Sequence, residues 1–203
     1  MKLKNLIVAS LLAAPLLASA VSETVIDQPV SDGGSYAITY YSPIAQTFTA
    51  NSTAVDGISV LLSNFYFGDL PPELASASTV YMTLFSGDTI NDGNAFMAQS
   101  MVDVAALLGD QPMASGNVKF AFDNIALTMG QTYTFQLFEL DGRFGIDMSN
   151  SNPYAGGQAY LQGATDPRLD LTFSVSAPVP EPGSAALLLL GLPLLWLRSR
   201  RGR

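Results

Sequence analysis

The sequence predicts an all-β protein, an antiparallel β-sandwich of jelly-roll type, on three observations. Short runs of aromatic and β-branched residues alternate with polar ones at the period of two that a half-buried strand requires. Between those runs stand clusters of Gly, Asn, Asp and Pro, the residues that reverse a chain. Helical periodicity is almost absent from the central region, which leaves sheet packed on sheet as the layer architecture.

Two segments of different composition bracket the strands. Lys2 and Lys4 form a basic start, residues 6–17 an apolar stretch, and Ala18-Ser19-Ala20 a small-residue cleavage site, the three parts of a secretory signal peptide. Residues 1–20 are therefore expected to be removed, and residues 21–177 to form one exported ectodomain. Roughly 155 residues suffice for a single hydrophobic core. Residues 178–203 form a third segment.

Within the ectodomain, residues 21–35 read as an irregular lead-in with one short strand at 24–26. Residues 36–41 and 45–50 have strand composition, and after the turn chemistry of 51–57 the run 58–62 returns as a strand with Ile58, Val60 and Leu62 facing the core. The aromatic run 65–67 enters a Pro-stiffened loop at 68–73, and residues 79–85 give the clearest central strand. A helix is expected at 101–108, stopped by Gly109-Asp110. Further strands are expected at 118–122 and 125–128, then after a Gly-containing turn at 132–140. Asp141-Gly142 predicts a hairpin returning through 143–148, with Phe144, Ile146 and Met148 on one face and Arg143 and Asp147 on the other. The last strands fall at 158–161 and 169–176, separated by the Asp166-Pro167 turn. The stretch from Leu127 to Leu137 is similar to a pattern in carbohydrate-binding-like and other bacterial surface sandwiches, which implies fold and by itself no function.

Composition removes whole classes of chemistry. The chain has no Cys and no His, so disulfides, thiol or imidazole nucleophile systems, and zinc sites built on those ligands are excluded. Between Val21 and Pro182 the cations are Lys119, Arg143 and Arg168, while every acid of the chain lies there, against an overall net charge of −8. Nucleic acid is thereby excluded as a partner, because phosphate contacts need clustered Lys and Arg.

The third segment has three parts in series: a collar at Val179, Pro180, Glu181 and Pro182, an uncharged apolar stretch at 184–197, and a basic end at Arg198, Arg200, Arg201 and Arg203. Prolines on both sides of Glu181 bar a helix there. A helix over 184–197 would be only about 20 Å long against a hydrocarbon core of roughly 30 Å, and Pro193 weakens it. The arginines would remain cytoplasmic and the preceding chain would lie across the membrane. This arrangement resembles the PEP-CTERM sorting signal of Gram-negative bacteria that make exopolysaccharide. The resemblance implies a single transmembrane helix that tethers a periplasmic ectodomain to the inner membrane. It also implies recognition by an exosortase at the Pro-Glu-Pro motif, followed by transfer to the cell surface or the extracellular, biofilm matrix. A span that holds its substrate only until processing can be short.

Two regions carry candidate ligand chemistry. Asp141, Arg143 and Asp147 precede a loop with Asn150, Asn152, Tyr154 and Tyr160, and together they supply the carboxylate, guanidinium, amide and aromatic groups that sugar recognition needs. The alternative is an acidic hairpin with a surface Asp-Arg pair and an ordinary loop. The only Trp, Trp196, lies in the apolar stretch and so outside any sugar site. Asp88, Asn91 and Asp92 offer hard oxygen ligands for Ca2+, the only cofactor considered. However, Ile90 stands at the third position of the EF-hand pattern, no Glu stands at the twelfth, and a solvated turn is the expectation. No pair of carboxylates has a spacing that marks a glycosidase. The expected function is a non-catalytic, sorted surface or matrix protein associated with exopolysaccharide. A carbohydrate-binding module and a polysaccharide-acting enzyme are its alternatives.

Overall fold

Among the described residues, most runs in which apolar and polar residues alternate are extended and paired. The computed structural model describes residues 21–64, 79–88, 90, 95–109, 111–140 and 143–179. The expected signal peptide, the Pro-Glu-Pro motif, the apolar segment 184–197 and the arginine cluster lie outside them. So do the aromatic run 65–67 and the loop after it. Among the described residues no helix is long and apolar enough to cross a membrane.

In chain order the strands are β1 (Ser22–Gln28), β2 (Gly34–Ala37), β3 (Ile44–Thr49), β4 (Ala54–Asn64), β5 (Thr79–Ser86) and β6 (Phe96–Asp103). A short helix α1 (Val104–Leu108) precedes β7 (Ser115–Ala126), β8 (Thr132–Glu139) and β9 (Phe144–Ser149). The chain closes through β10 (Ala159–Leu161), β11 (Ala164–Asp166), β12 (Asp170–Leu171) and β13 (Phe173–Pro178). One sheet joins β1, β13, β4, β9 and β12, with β2 added on β9 and β7 on β4, and the other runs β11-β10-β3-β8-β5-β6. All of these pairings are antiparallel.

A strand has two edges, and β7 occupies one of them along almost the whole of β4. The other edge is therefore shared in succession by β13, opposite Gly57 to Val60, and β9, opposite Leu62 to Asn64. The chain changes sheet between β2 and β3, β3 and β4, β4 and β5, β6 and β7, β7 and β8, β8 and β9, β9 and β10, and β11 and β12. Side chains from both sheets meet in one apolar core, consistent with a β-sandwich. Phe48, Met82, Phe135 and Leu137 come from one sheet and Ile58, Leu62, Phe120 and Ile146 from the other, all fully buried. Each such side chain contributes about 1.5–3 kcal/mol by leaving water. Phe135 and Phe173 touch across the two sheets with ring centroids 5.3 Å apart.

Several local expectations are corrected. The helix expected at 101–108 is strand as far as Asp103, because Met101 and Val102 pair with Tyr81 and Val80 of β5. Only Val104–Leu108 is helical, with the Asp103 carboxylate accepting from the Ala106 N–H at 3.1 Å as N-cap and Gly109, at φ +77°, as its stop. The strand expected at 36–41 ends at Ala37, where a turn begins with the Tyr41 N–H donating to the Ala37 carbonyl at 3.1 Å. The two strands expected at 118–122 and 125–128 are one, β7, which bulges between Ala121 and Ile125 with Asn124 at φ +46°.

The Asp141-Gly142 hairpin is not formed. β8 pairs with β3 and β5, whereas β9 pairs with β2, β4 and β12 in the opposite sheet. The connection is instead fastened by the buried Glu139, whose two carboxylate oxygens both accept from the Phe144 N–H at 3.1 Å, with Thr39 Oγ1 donating to one of them at 3.0 Å.

Candidate functional site

The segment 143–160 runs from β9 to β10 and so passes from one sheet to the other. Several of its polar and aromatic side chains are engaged in that crossing. Arg143 is 4% exposed, donates from Nε to Asn64 Oδ1 at 3.4 Å and lies over the Phe144 ring at 5.5 Å. Asp147 accepts from Ser63 Oγ at 2.8 Å and from Ser31 Oγ at 3.3 Å. Asn152 is exposed with φ +47°. Asp141 lies outside the described residues.

Tyr154 and Tyr160 both serve internal contacts. The Tyr154 ring stands edge-on to Phe173 at 5.2 Å, and its hydroxyl accepts from the Thr49 N–H at 3.2 Å. Tyr160, 6% exposed, donates its hydroxyl to the Asp88 carbonyl. Burial, the larger cause in each case, pushes both phenols above their ordinary range.

Behind this loop lies a polar network that sequence reading did not single out. Asp170, at the start of β12, is fully buried. Its Oδ1 accepts from Gln46 Nε2 at 2.9 Å and its Oδ2 from the Tyr154 N–H at 2.8 Å. Gln46 Oε1 in turn accepts from the Leu171 N–H at 2.9 Å, while Gln46 Nε2 also donates to the Thr47 carbonyl at 3.1 Å. The carboxylate thus ties β3, β12 and the loop together across the two sheets. Burial pushes its pKa up, and the bonds from Tyr154 and Gln46 only partly offset that.

Asn150 opens on a cleft. This cleft, of about 370 Å³, is lined by Tyr36, Asn150, Leu161, Asp166, Arg168 and Leu169. Tyr36 comes from β2, Leu161 and Asp166 from the β10–β11 hairpin, and Arg168 and Leu169 from the turn after β11. That hairpin closes through Gln162 and Gly163 at φ +53° and +79°, the two left-handed residues of a type I′ turn, with Leu161 opposite Ala164. The following turn has Pro167 at its second position and the Leu169 N–H donating to the Asp166 carbonyl at 3.2 Å.

Asp166 holds Arg168 twice over. Its Oδ1 accepts from the Arg168 backbone N–H and from Nε, both at 3.0 Å, and its Oδ2 accepts from Nη2 at 2.8 Å. These hydrogen bonds hold the Asp166 carboxyl down at about 2 and raise the Arg168 guanidinium. The guanidinium is fixed in the plane of the carboxylate although the Arg168 side chain is 80% exposed. Tyr36 packs edge-on against Tyr41 at 5.1 Å, and Tyr41 against the exposed Tyr40 at 4.9 Å.

The calcium loop is only partly described. Asn91 and Asp92 lie outside the described residues, and Asp88 offers its carbonyl to Tyr160. Among the described residues no group of three or more acidic side chains is placed to hold a metal ion. No family model matches the chain, and no curated protein is significantly similar to it.

Proposed function

We propose that the protein is an exported, non-catalytic surface or extracellular-matrix protein. In this reading a sandwich of jelly-roll type is delivered through a PEP-CTERM signal to the exopolysaccharide or biofilm layer. The repeated alternation of the chain between two antiparallel sheets supports the jelly-roll reading. The observation that carries the functional reading is which strands bound the described unit. Ser22 and Pro178 are register partners on β1 and β13. The unit thus closes directly after the expected signal-peptide cleavage site and directly before Val179, Pro180, Glu181 and Pro182. Both flanking segments can be cut away without opening any strand pair among the described residues.

The buried carboxylates support the absence of catalysis, since Glu139 and Asp170 both accept hydrogen bonds that fasten connections of the fold. Before processing, the apolar segment tethers a periplasmic ectodomain to the inner membrane. An exosortase-type enzyme is the partner that releases it. The test is the mass of the product made in a host carrying an exosortase. The expected product lacks residues 1–20 and the arginine cluster, and a Pro180→Ala, Pro182→Ala variant keeps the cluster and stays in the membrane fraction. An intact C-terminus on wild-type product recovered from the matrix would refute the sorting reading.

A further inference from the structure

We propose that the cleft between Tyr36, Asn150 and the Asp166–Arg168 pair is a binding site for a neutral pyranose unit of a glycan. The inference is independent of the sorting route, since it concerns only what the folded unit can hold. The cleft volume of about 370 Å³ stands near the lower end of the roughly 300–1,000 Å³ of small-molecule sites, room for one or two sugar rings.

Its chemistry is mixed in the way a polyhydroxylated ring is mixed. A sugar hydroxyl both donates and accepts, so it needs donors and acceptors side by side. Arg168 uses Nε and one Nη2 hydrogen on Asp166, which leaves three guanidinium N–H groups without a partner among the described residues. Asp166 adds carboxylate lone pairs, and the side-chain amide of Asn150 has no hydrogen-bond partner among the described residues. Tyr36, Leu161 and Leu169 line the same cleft and add apolar surface beside these groups for the C–H face of the ring.

Charge selects a neutral ligand over an anionic one. The single cation of the cleft is already matched by the carboxylate that holds it. A uronate or phosphate would have to compete with Asp166 for the guanidinium within a strongly acidic protein. Preorganisation favours binding as well, because the Asp166 turn fixes the guanidinium before any ligand arrives. A wider depression of about 700 Å³ between Gly87 and Gln131 has no side-chain cation and no charge pair among the described residues that line it.

The test is an NMR titration of the full chain in a non-glycosidic detergent with neutral hexose oligosaccharides of glucose, mannose and galactose, and separately with an oligoglucuronate. Expected are saturable shifts of the amides of Tyr36, Asn150, Leu161, Asp166 and Arg168 with at least one neutral oligosaccharide. The dissociation constant should lie between about 10 μM and 1 mM. Arg168→Ala, at an exposed position, should leave the rest of the spectrum folded and weaken binding about tenfold or more. Asn150→Ala should weaken it, and Lys119→Ala, on β7, should not. Lack of saturable shifts with every sugar, shifts confined to other residues, or tighter binding of the oligoglucuronate would each overturn the proposal. Each of these outcomes leaves the mass test of the sorting reading untouched.

Discussion

Asp170→Asn tests the cross-sheet network most directly. The carboxylate offers two acceptor oxygens, one to Gln46 Nε2 and one to the Tyr154 N–H. Asparagine offers one acceptor and an NH2 group. Gln46 cannot turn its amide to compensate, because its Oε1 is held by the Leu171 N–H and its Nε2 by the Thr47 carbonyl. One buried donor is therefore left facing another, at a cost of about 1–3 kcal/mol. For a unit of this size that lowers Tm by about 2–12 °C in a thermal melt followed by circular dichroism. The pH dependence has a definite sign. Burial raises the folded pKa of Asp170 above its unfolded value of about 3.9, so the folded state holds the proton longer. The wild type then loses stability as pH rises from about 4 through the raised folded value, and the non-titrating variant does not. The gap between them is widest at low pH and narrows upward. A Tm unchanged within about 1 °C would refute the network, and a gap that narrows on acidification would mean that the two donors, and not burial, govern the titration.

Asp56 should behave in the opposite sense. Burial raises its carboxyl, but hydrogen bonds from Ser176 and Ser22 and the Lys119 charge together outweigh it and leave the pKa lowered. Asp56→Asn should cost about 1–2 kcal/mol near pH 6 in a urea titration. The difference should shrink as pH falls through the lowered folded pKa, and a difference that does not shrink on acidification would contradict the assignment. Gly157→Ala addresses the seat of the 150–158 loop, since a Cβ there would stand 1.9 Å from the Thr47 carbonyl oxygen. The loop must lift from β3, which breaks the Gln158 N–H to Thr47 Oγ1 bond of 2.8 Å and destabilises the fold by about 2 kcal/mol or more. Proteolysis of the folded protein should shift to this loop, and unchanged cleavage and stability would exclude the contact.

What the sequence made legible was the existence of strands. Period-two runs such as 79–85 and 45–50 become β5 and β3, β5 with one face in the shared core and β3 buried on both faces from Ile44 to Phe48. Sheet membership was not legible. Asp141-Gly142 has the local chemistry of a tight turn, but local chemistry cannot state which sheet receives the next strand. The long-range partners of β9, which are β2, β4 and β12, decide that. The 101–108 misreading has a similar cause. Val102, Ala105 and Leu108 recur at a helical spacing, yet Met101 and Val102 add to the edge of β5, where ladder hydrogen bonds override the pattern.

Composition did not distinguish a recognition loop from a clasp. Amides, glycines and tyrosines suit a sugar site, and they equally suit a segment that must cross between sheets and satisfy its own backbone there. Burial separates the two uses. Tyr154 and Tyr160 face inward and are held by Phe173, Thr49 and Asp88, whereas Asn150 at the loop's outer bend reaches the cleft. The rest of that cleft comes from Tyr36, more than a hundred residues away, and from a hairpin whose Gln162-Gly163 turn lacks the Asn-Gly or Asp-Gly signature. One part could have been found in advance: in Asp166-Pro167-Arg168 the proline sets the turn, and a carboxylate two residues before an arginine is within reach of both its backbone and its guanidinium. A local motif of that kind fixes the geometry of a side chain. Only the topology determines which other side chains share its cleft, and here β2, pairing through β9, brings Tyr36 to it.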